Sequence, residues 1–100
     1  MIYLVEILEA AQTDVADAIK WYHSQKSGLG AEFLDETISA VDKITQNPES
    51  YRIRHKTKLV RWIYPKRFPY RVIYVVAGDR VKIIAVIHAA RHDSSWDERA

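Results

Sequence analysis

The sequence predicts an α+β domain in the order β-α-α-β-β-β, a helical hairpin packed on one face of a small, mostly antiparallel sheet. Three observations predict it. Apolar residues recur at helical spacing between about residues 9 and 46. After Tyr51 they are largely β-branched or aromatic and stand in short runs. The chain has 100 residues, 48% hydrophobic and 28% charged, which suits one core rather than two. A single domain over residues 1–100 is expected. Neither an amphipathic hairpin nor a small sheet is stable alone, so each must cover the other.

Ile2 to Leu8 reads as a strand. From about Glu9 to Lys26, Ala11, Val15, Ala18, Ile19 and Tyr22 fall on one helical face, with Asp14, Asp17 and Lys20 on the other side. Ser27-Gly28-Leu29-Gly30 ends this helix, and Gly28 suits a left-handed C-cap. A second helix is predicted from about Gly30 to Gln46. Phe33, Leu34, Ile38, Val41 and Ile44 form its apolar stripe; Glu32, Asp35, Glu36, Asp42 and Lys43 are mostly outward. Pro48 disfavours helical geometry at Asn47 and stops it.

Leu59 to Tyr64, Tyr70 to Ala77 and Arg80 to about Ala89 read as strands. Gly78-Asp79 is a two-residue hairpin turn with Gly first, as a type II′ turn requires. Val72, Tyr74 and Val76 are expected on one face, and Ile73 and Val75 on the other. Val81, Ile83, Ala85 and Ile87 are expected to alternate with Lys82, Ile84, Val86 and His88. Apolar residues on both faces place these two strands at the sheet centre. The face away from the helices is expected to be only partly covered. The tail from Arg91 to Ala100 is polar apart from Trp96.

Several function classes are excluded or disfavoured. There is no cysteine, hence no disulfide, thiolate chemistry or cysteine–zinc site. No apolar run approaches the roughly 18 residues that span a bilayer, so no membrane partner is expected. Met1 to Glu9 lacks a basic n-region and carries Glu6 and Glu9, which argues against a secretory signal. A cytoplasmic location is the expectation. There is no glycine-rich phosphate loop and no paired-carboxylate site, and no cofactor or metal is expected. His88 and His92, four residues apart across a strand end, do not make a metal-ligand geometry. Ser94 and Ser95 beside His92 do not make a nucleophile triad, because Asp93 is too near in sequence to orient the base.

Charge is divided along the chain. Residues 1–50 hold three Lys/Arg and nine Asp/Glu, a net of −6; residues 51–100 hold twelve and four, a net of +8. From Arg52 to Arg71 there are eight basic residues and no acidic one: Arg52, Arg54, Lys56, Lys58, Arg61, Lys66, Arg67 and Arg71. A positive field over one region favours an anionic partner, nucleic acid or an acidic protein segment; a solvated basic face is the plainer reading. In Arg61-Trp62-Ile63-Tyr64-Pro65-Lys66-Arg67-Phe68, aromatic and basic residues are interleaved as on a nucleic-acid surface. Strand alternation nevertheless puts Arg61 and Ile63 on one face, and Trp62 and Tyr64 on the other.

The motifs resemble one family across nearly the whole chain. Trp21-Tyr22-His23-Ser24-Gln25 with Gly28-Leu29-Gly30 and Phe33, then Asn47-Pro48, Phe68-Pro69-Tyr70-Arg71-Val72-Ile73-Tyr74, and Val86-Ile87-His88-Ala89-Ala90-Arg91 with Trp96, resemble in order the signature of RelE/ParE superfamily toxins, often labelled plasmid stabilisation proteins. The resemblance implies a toxin of a type II toxin–antitoxin pair, neutralised by a cognate antitoxin. A ParE-like member would poison DNA gyrase. A RelE-like member would cleave messenger RNA on the ribosome, with cationic side chains helping a 2′-hydroxyl attack the phosphate.

Carried over by position, Arg71 and Arg91 match two arginines of the RelE-like site, and Arg61 roughly matches one of its two lysines. The second lysine falls near Ile63. The site's tyrosine falls near Trp96, whose indole donates but has no phenolic proton to lose. The ParE-like reading is therefore preferred, with a ribonuclease using Arg61, Arg71 and Arg91 as the alternative, and a non-toxic basic binding module of the same fold as a third. Arg52, Arg54, Lys66, Arg67, His88 and Trp96 are the candidate contacts for target or antitoxin. His88 reads either as an acid–base group or as a satisfied histidine at a sheet edge. Trp21-Tyr22 reads as hairpin packing, with a stacking platform as the other possibility. The sequence leaves the oligomeric state open.

Overall fold

The computed structural model describes residues 2–100; Met1 and the Ser94 side chain lie outside the described residues. Five strands form one sheet in the order β1-β5-β4-β3-β2. They are β1 (Leu4–Ile7), β2 (Ile53–His55), β3 (Val60–Ile63), β4 (Tyr70–Ala77) and β5 (Arg80–His88). Two helices, α1 (Glu9–Gln25) and α2 (Leu29–Gln46), pack on one face, and a short helix, α3 (Ser94–Asp97), closes the chain. Strands β1 and β5 run parallel; the other neighbours are antiparallel. The architecture is the expected α+β hairpin-on-sheet, with β2 and α3 added.

The helix pattern explains the main core. Ala11, Ala18 and Tyr22 of α1 and Phe33, Ala40 and Ile44 of α2 meet Val72, Tyr74, Val81, Ile83 and Val86 of the sheet. The helices approach closely at Gly30, where an added Cβ would sit 2.6 Å from the Ile19 carbonyl oxygen. Gly28 has φ +86°, the left-handed conformation expected of it, but it stands at the start of α2 rather than as the C-cap of α1, a position Lys26 holds. Tyr74 is buried, and its hydroxyl donates 2.6 Å to the Pro48 carbonyl oxygen. That bond ties the turn after α2 to the centre of the sheet.

The expected alternation along β5 fails at one point. Pairing runs Ile73 to Ala85 and then Tyr74 to Ile83, leaving Ile84 as the extra residue of a bulge. Ile84 and Ala85 therefore both face away from the helices, with Ile87, while Val86 joins Val81 and Ile83 on the helix side. The expected set Val81, Ile83, Ala85 and Ile87 is split between the faces.

The face away from the helices is also better covered than the sequence suggests. Val60, Ile73, Ile84, Ala85 and Ile87 pack around Trp96, which is 1% exposed. The polar tail is thus a second, thinner layer anchored by one indole.

Candidate functional site

The segment after β5 is pinned by charge as well as by Trp96. Arg71 projects from β4 toward it, and its side chain is only 5% exposed. One guanidinium nitrogen donates 2.8 Å to Asp93, and another donates 2.7 Å to the Arg91 carbonyl. The same guanidinium lies 4.8 Å from the centroid of the Trp62 ring, which also carries Arg54 at 5.1 Å. Trp62 is thereby in contact with two cations, each contact worth about 0.5–2 kcal/mol by its degree of desolvation. Hydrogen bonding from Arg71, then from Trp96, together with the Arg71 charge, holds the Asp93 carboxyl below the usual carboxylate range against the opposing effect of burial. Trp62 Nε1 and Arg71 Nε are buried with no hydrogen-bond partner among the described residues.

The three candidate catalytic arginines do not converge. Arg61 pairs in register with Tyr74, so it lies on the helix side, where its Nε donates 2.9 Å to the Tyr51 carbonyl. Arg71 pairs with Ile87 and lies on the opposite side. Arg91 is exposed and lines a hollow of about 240 Å³ between α1 and the ends of β4 and β5. Ile63, on the Arg61 side, packs against the helix-side core. Trp96, at the other motif position of the ribonuclease pattern, is buried and is not presented to a partner.

The basic run is likewise dispersed. Lys58 pairs with Asp97 at 3.0 Å, and Arg67 with Glu32 at 3.5 Å. Arg67 stands at φ +70° and lies 5.4 Å from the centroid of the Phe68 ring. Arg52, Arg54, Lys56 and Lys66 are exposed. His88 is exposed at the end of β5, where its Nδ1 accepts 3.0 Å from the Ala90 N–H and its ring meets Tyr70 edge-on. Among the described residues no group of three or more His, Asp or Glu is placed to hold a metal, and no helix is long and apolar enough to cross a membrane.

Two features escape sequence reasoning. The helical pattern puts Asp14 on the solvated side of α1. Instead it accepts the Val86 N–H at 3.0 Å and pairs with Arg99 at 2.6 Å, while Arg99 also donates to the Ile84 carbonyl. The cause is that β1 covers β5 only as far as Ile83, so side chains satisfy the edge beyond it.

The second feature is an open apolar groove of about 320 Å³ beside β1, lined by Ile7, Val15, Leu34, Ile38 and Val41, with Asp42 at its rim. The buried stripe of α2 is Gly30, Phe33, Thr37, Ala40 and Ile44, one step round from the expected one. Leu34 and Ile38 are consequently 37% and 51% exposed. They continue the surface of Val5 and Ile7 on the edge strand β1, two residues that pair with the helix-side Val81 and Ile83. Thr37, the polar member of the buried stripe, is accommodated there because its hydroxyl donates to the Phe33 carbonyl.

The model of a family described as the ParE toxin of the type II toxin–antitoxin system parDE matches residues 5–93. Among solved structures, a chain of the chromosomal ParDE TA system from P. aeruginosa aligns with a TM-score of 0.78 at 14% identity, covering 87% of this chain and 96% of that one. The E. coli toxin RelE, in the free state and with two arginines replaced by alanine, aligns with a TM-score of 0.57 at 19% identity, covering 99% and 98%. At these identities the two structures speak for the fold. No curated protein matches the chain at a significant level.

Proposed function

Because the chain belongs to the ParE toxin family of type II toxin–antitoxin systems, we propose that in its free form it arrests growth by docking on DNA gyrase rather than by cutting RNA. It is the toxin of such a pair, and its protein partner is an antitoxin. The observation that carries the choice of target is the state of Arg71. Its guanidinium is buried, neutralised by Asp93 and engaged by the Arg91 carbonyl, so it has little to offer a scissile phosphate. Arg61 on the opposite face cannot join it.

The antitoxin is assigned to the apolar groove. Leu34, Ile38 and Val41 on α2, with Val15 on α1, form a channel that fits the apolar stripe of an amphipathic helix. The exposed Arg52, Arg54 and Lys66, though dispersed, remain as positive charge for steering an acidic partner.

Two assays with purified protein test the target: DNA supercoiling by gyrase, and messenger RNA cleavage on programmed ribosomes. Inhibited supercoiling with intact message is the expected result. Codon-specific cleavage with untouched gyrase overturns the proposal in favour of the ribonuclease. Inactivity in both, with normal growth on expression, leaves a basic binding module.

A further inference from the structure

Trp21 and Tyr22 stand side by side in sequence but part company in the fold. Tyr22 is buried in a ring cluster with Phe33 and Phe68, whereas Trp21 is 56% exposed. The exposed indole, held edge-on by Tyr22 at 5.0 Å, forms one wall of two adjoining hollows. Tyr70 and His88, paired across the ends of β4 and β5, form the facing wall of both. Asp17, from the same face of α1 as Trp21, and Arg91, from the segment after β5, line the first of these hollows and not the second. The charge of Arg91 reaches the Tyr70 phenol, opposing the effect of burial on it. Asp14 also lines the first hollow, but Arg99 neutralises it.

This set has three chemical parts. A flat exposed indole offers a stacking face, and base–aromatic stacking does not depend on sequence. A guanidinium offers a charge-assisted, bidentate contact for phosphate. A carboxylate accepts from an exocyclic amino group, as Asp does from cytosine N4, and is repelled by a carbonyl in the same place. We propose that the trough bounded by Asp17, Trp21, Tyr70, His88 and Arg91 binds one nucleotide, its base stacked on Trp21 with an amino group toward Asp17 and its phosphate at Arg91. The site lies between α1 and the strand ends, and Arg91 joins it to the Arg71 cluster on the other face through its backbone carbonyl, which any substitution of its side chain retains. It stands independently of the gyrase proposal.

The test is a titration of the folded protein with cytidine 5′-monophosphate, followed by the indole and imidazole signals in NMR. Uridine 5′-monophosphate, inorganic phosphate and a short oligocytidylate are titrated in parallel. Cytidine monophosphate should shift Trp21 and His88 and bind several-fold tighter than uridine monophosphate. Trp21→Ala and Arg91→Ala should each weaken binding about tenfold or more. Asp17→Asn should abolish the preference for cytidine while keeping binding. Oligocytidylate binding more tightly than the monomer identifies a strand of nucleic acid as the source; equal affinity identifies free nucleotide. Both outcomes support the site. It is overturned if inorganic phosphate alone produces the same shifts, if no nucleotide shifts Trp21 at millimolar concentration, or if binding survives Trp21→Ala and maps to Arg52, Arg54 and Lys66. Trp21→Phe, which retains a ring, should bind with intermediate strength and separates stacking from any change in fold.

Discussion

Arg71 and Asp93 meet at 2.8 Å, one from the centre of the sheet and the other from the segment beyond its last strand. The pair is lopsided: the arginine side chain is 5% exposed and the aspartate side chain 63%. A buried cation is thus neutralised from the solvent side, and the acid also accepts a long contact of 3.4 Å from the Trp96 indole. One carboxylate organises both the charge and the aromatic anchor of the tail.

Asp93→Asn keeps an acceptor but leaves Arg71 buried without its counter-charge. The exposure of Asp93 lets water screen part of the loss, so the expected cost is about 1–3 kcal/mol rather than the full penalty of a broken buried pair. The folded-state carboxyl titrates below its ordinary value. Its contribution is therefore present above the unfolded pKa and is lost as pH falls through the folded one. Urea unfolding should show wild type and variant far apart at pH 7 and converging in acid. A gap that does not narrow would contradict the assignment.

Tyr74 gives the opposite limb. Burial pushes its phenol up to about 12, with the Arg61 charge acting the other way. A raised folded pKa means stability is complete below the unfolded value near 10 and falls as pH rises through the folded one. The loss should total roughly 2–3 kcal/mol by pH 12. Tyr74→Phe should be destabilised at neutral pH by about 1–3 kcal/mol, because the Pro48 carbonyl loses its donor. It should also lack this share of the alkaline decline. Denaturation midpoints at pH 8 and pH 11 measure both, and parallel declines would refute the role of Tyr74.

Trp96→Ala removes the largest fully buried side chain of the outer layer. A cost of about 3–5 kcal/mol is expected, with loss of the cooperative near-ultraviolet signal. Deletion of the segment after Arg91 should do the same, since it takes Asp93 and Arg99 with it. Growth inhibition lost on such deletion is thus a consequence of unfolding. A truncated protein that stays cooperatively folded yet is harmless would instead return the tail to the role of a target contact.

Ile38→Glu tests the groove. At 51% exposure the substitution should leave stability within about 0.5 kcal/mol. Antitoxin affinity should fall about tenfold or more, because a charge is set into an apolar seat. Calorimetry with the cognate antitoxin decides it; undiminished affinity places the antitoxin elsewhere.

The sequence was most informative where periodicity was long. The stripe Ala11-Val15-Ala18-Ile19-Tyr22 located α1 and its buried face, and Gly78-Asp79 located the turn between β4 and β5. It was least informative where one residue changes a register. Nothing in Ile83-Ile84-Ala85-Val86 marks the bulge, since all four are apolar and any of them can face either layer. The same holds for Leu34 and Ile38, whose hydrophobicity signals burial in a fold that leaves them open. At the candidate site, the arginines were visible as positions but not as directions. Arg61 and Arg71 stand in adjacent strands, and only the pairing of Arg61 with Tyr74 and of Arg71 with Ile87 reveals that they point oppositely. Asp14 reads as an ordinary solvated charge because its partners, Val86 and Arg99, are distant in sequence.

That distance has a kinetic meaning. The first strand pairs with the last, Leu4 with Arg80, and Asp14 finds Arg99 across 85 residues. During synthesis the helical hairpin can therefore form while β1 has no neighbour and the outer layer does not yet exist. Closing so large a loop is slow relative to local helix formation. Pulse-labelled hydrogen exchange during refolding should protect the α1 and α2 amides before those of β1, and simultaneous protection would show that the sheet edge is not the last part to close. A newborn chain of this kind passes through a stage in which the apolar groove is only half walled, and a partner seated there would meet a surface that is finished late.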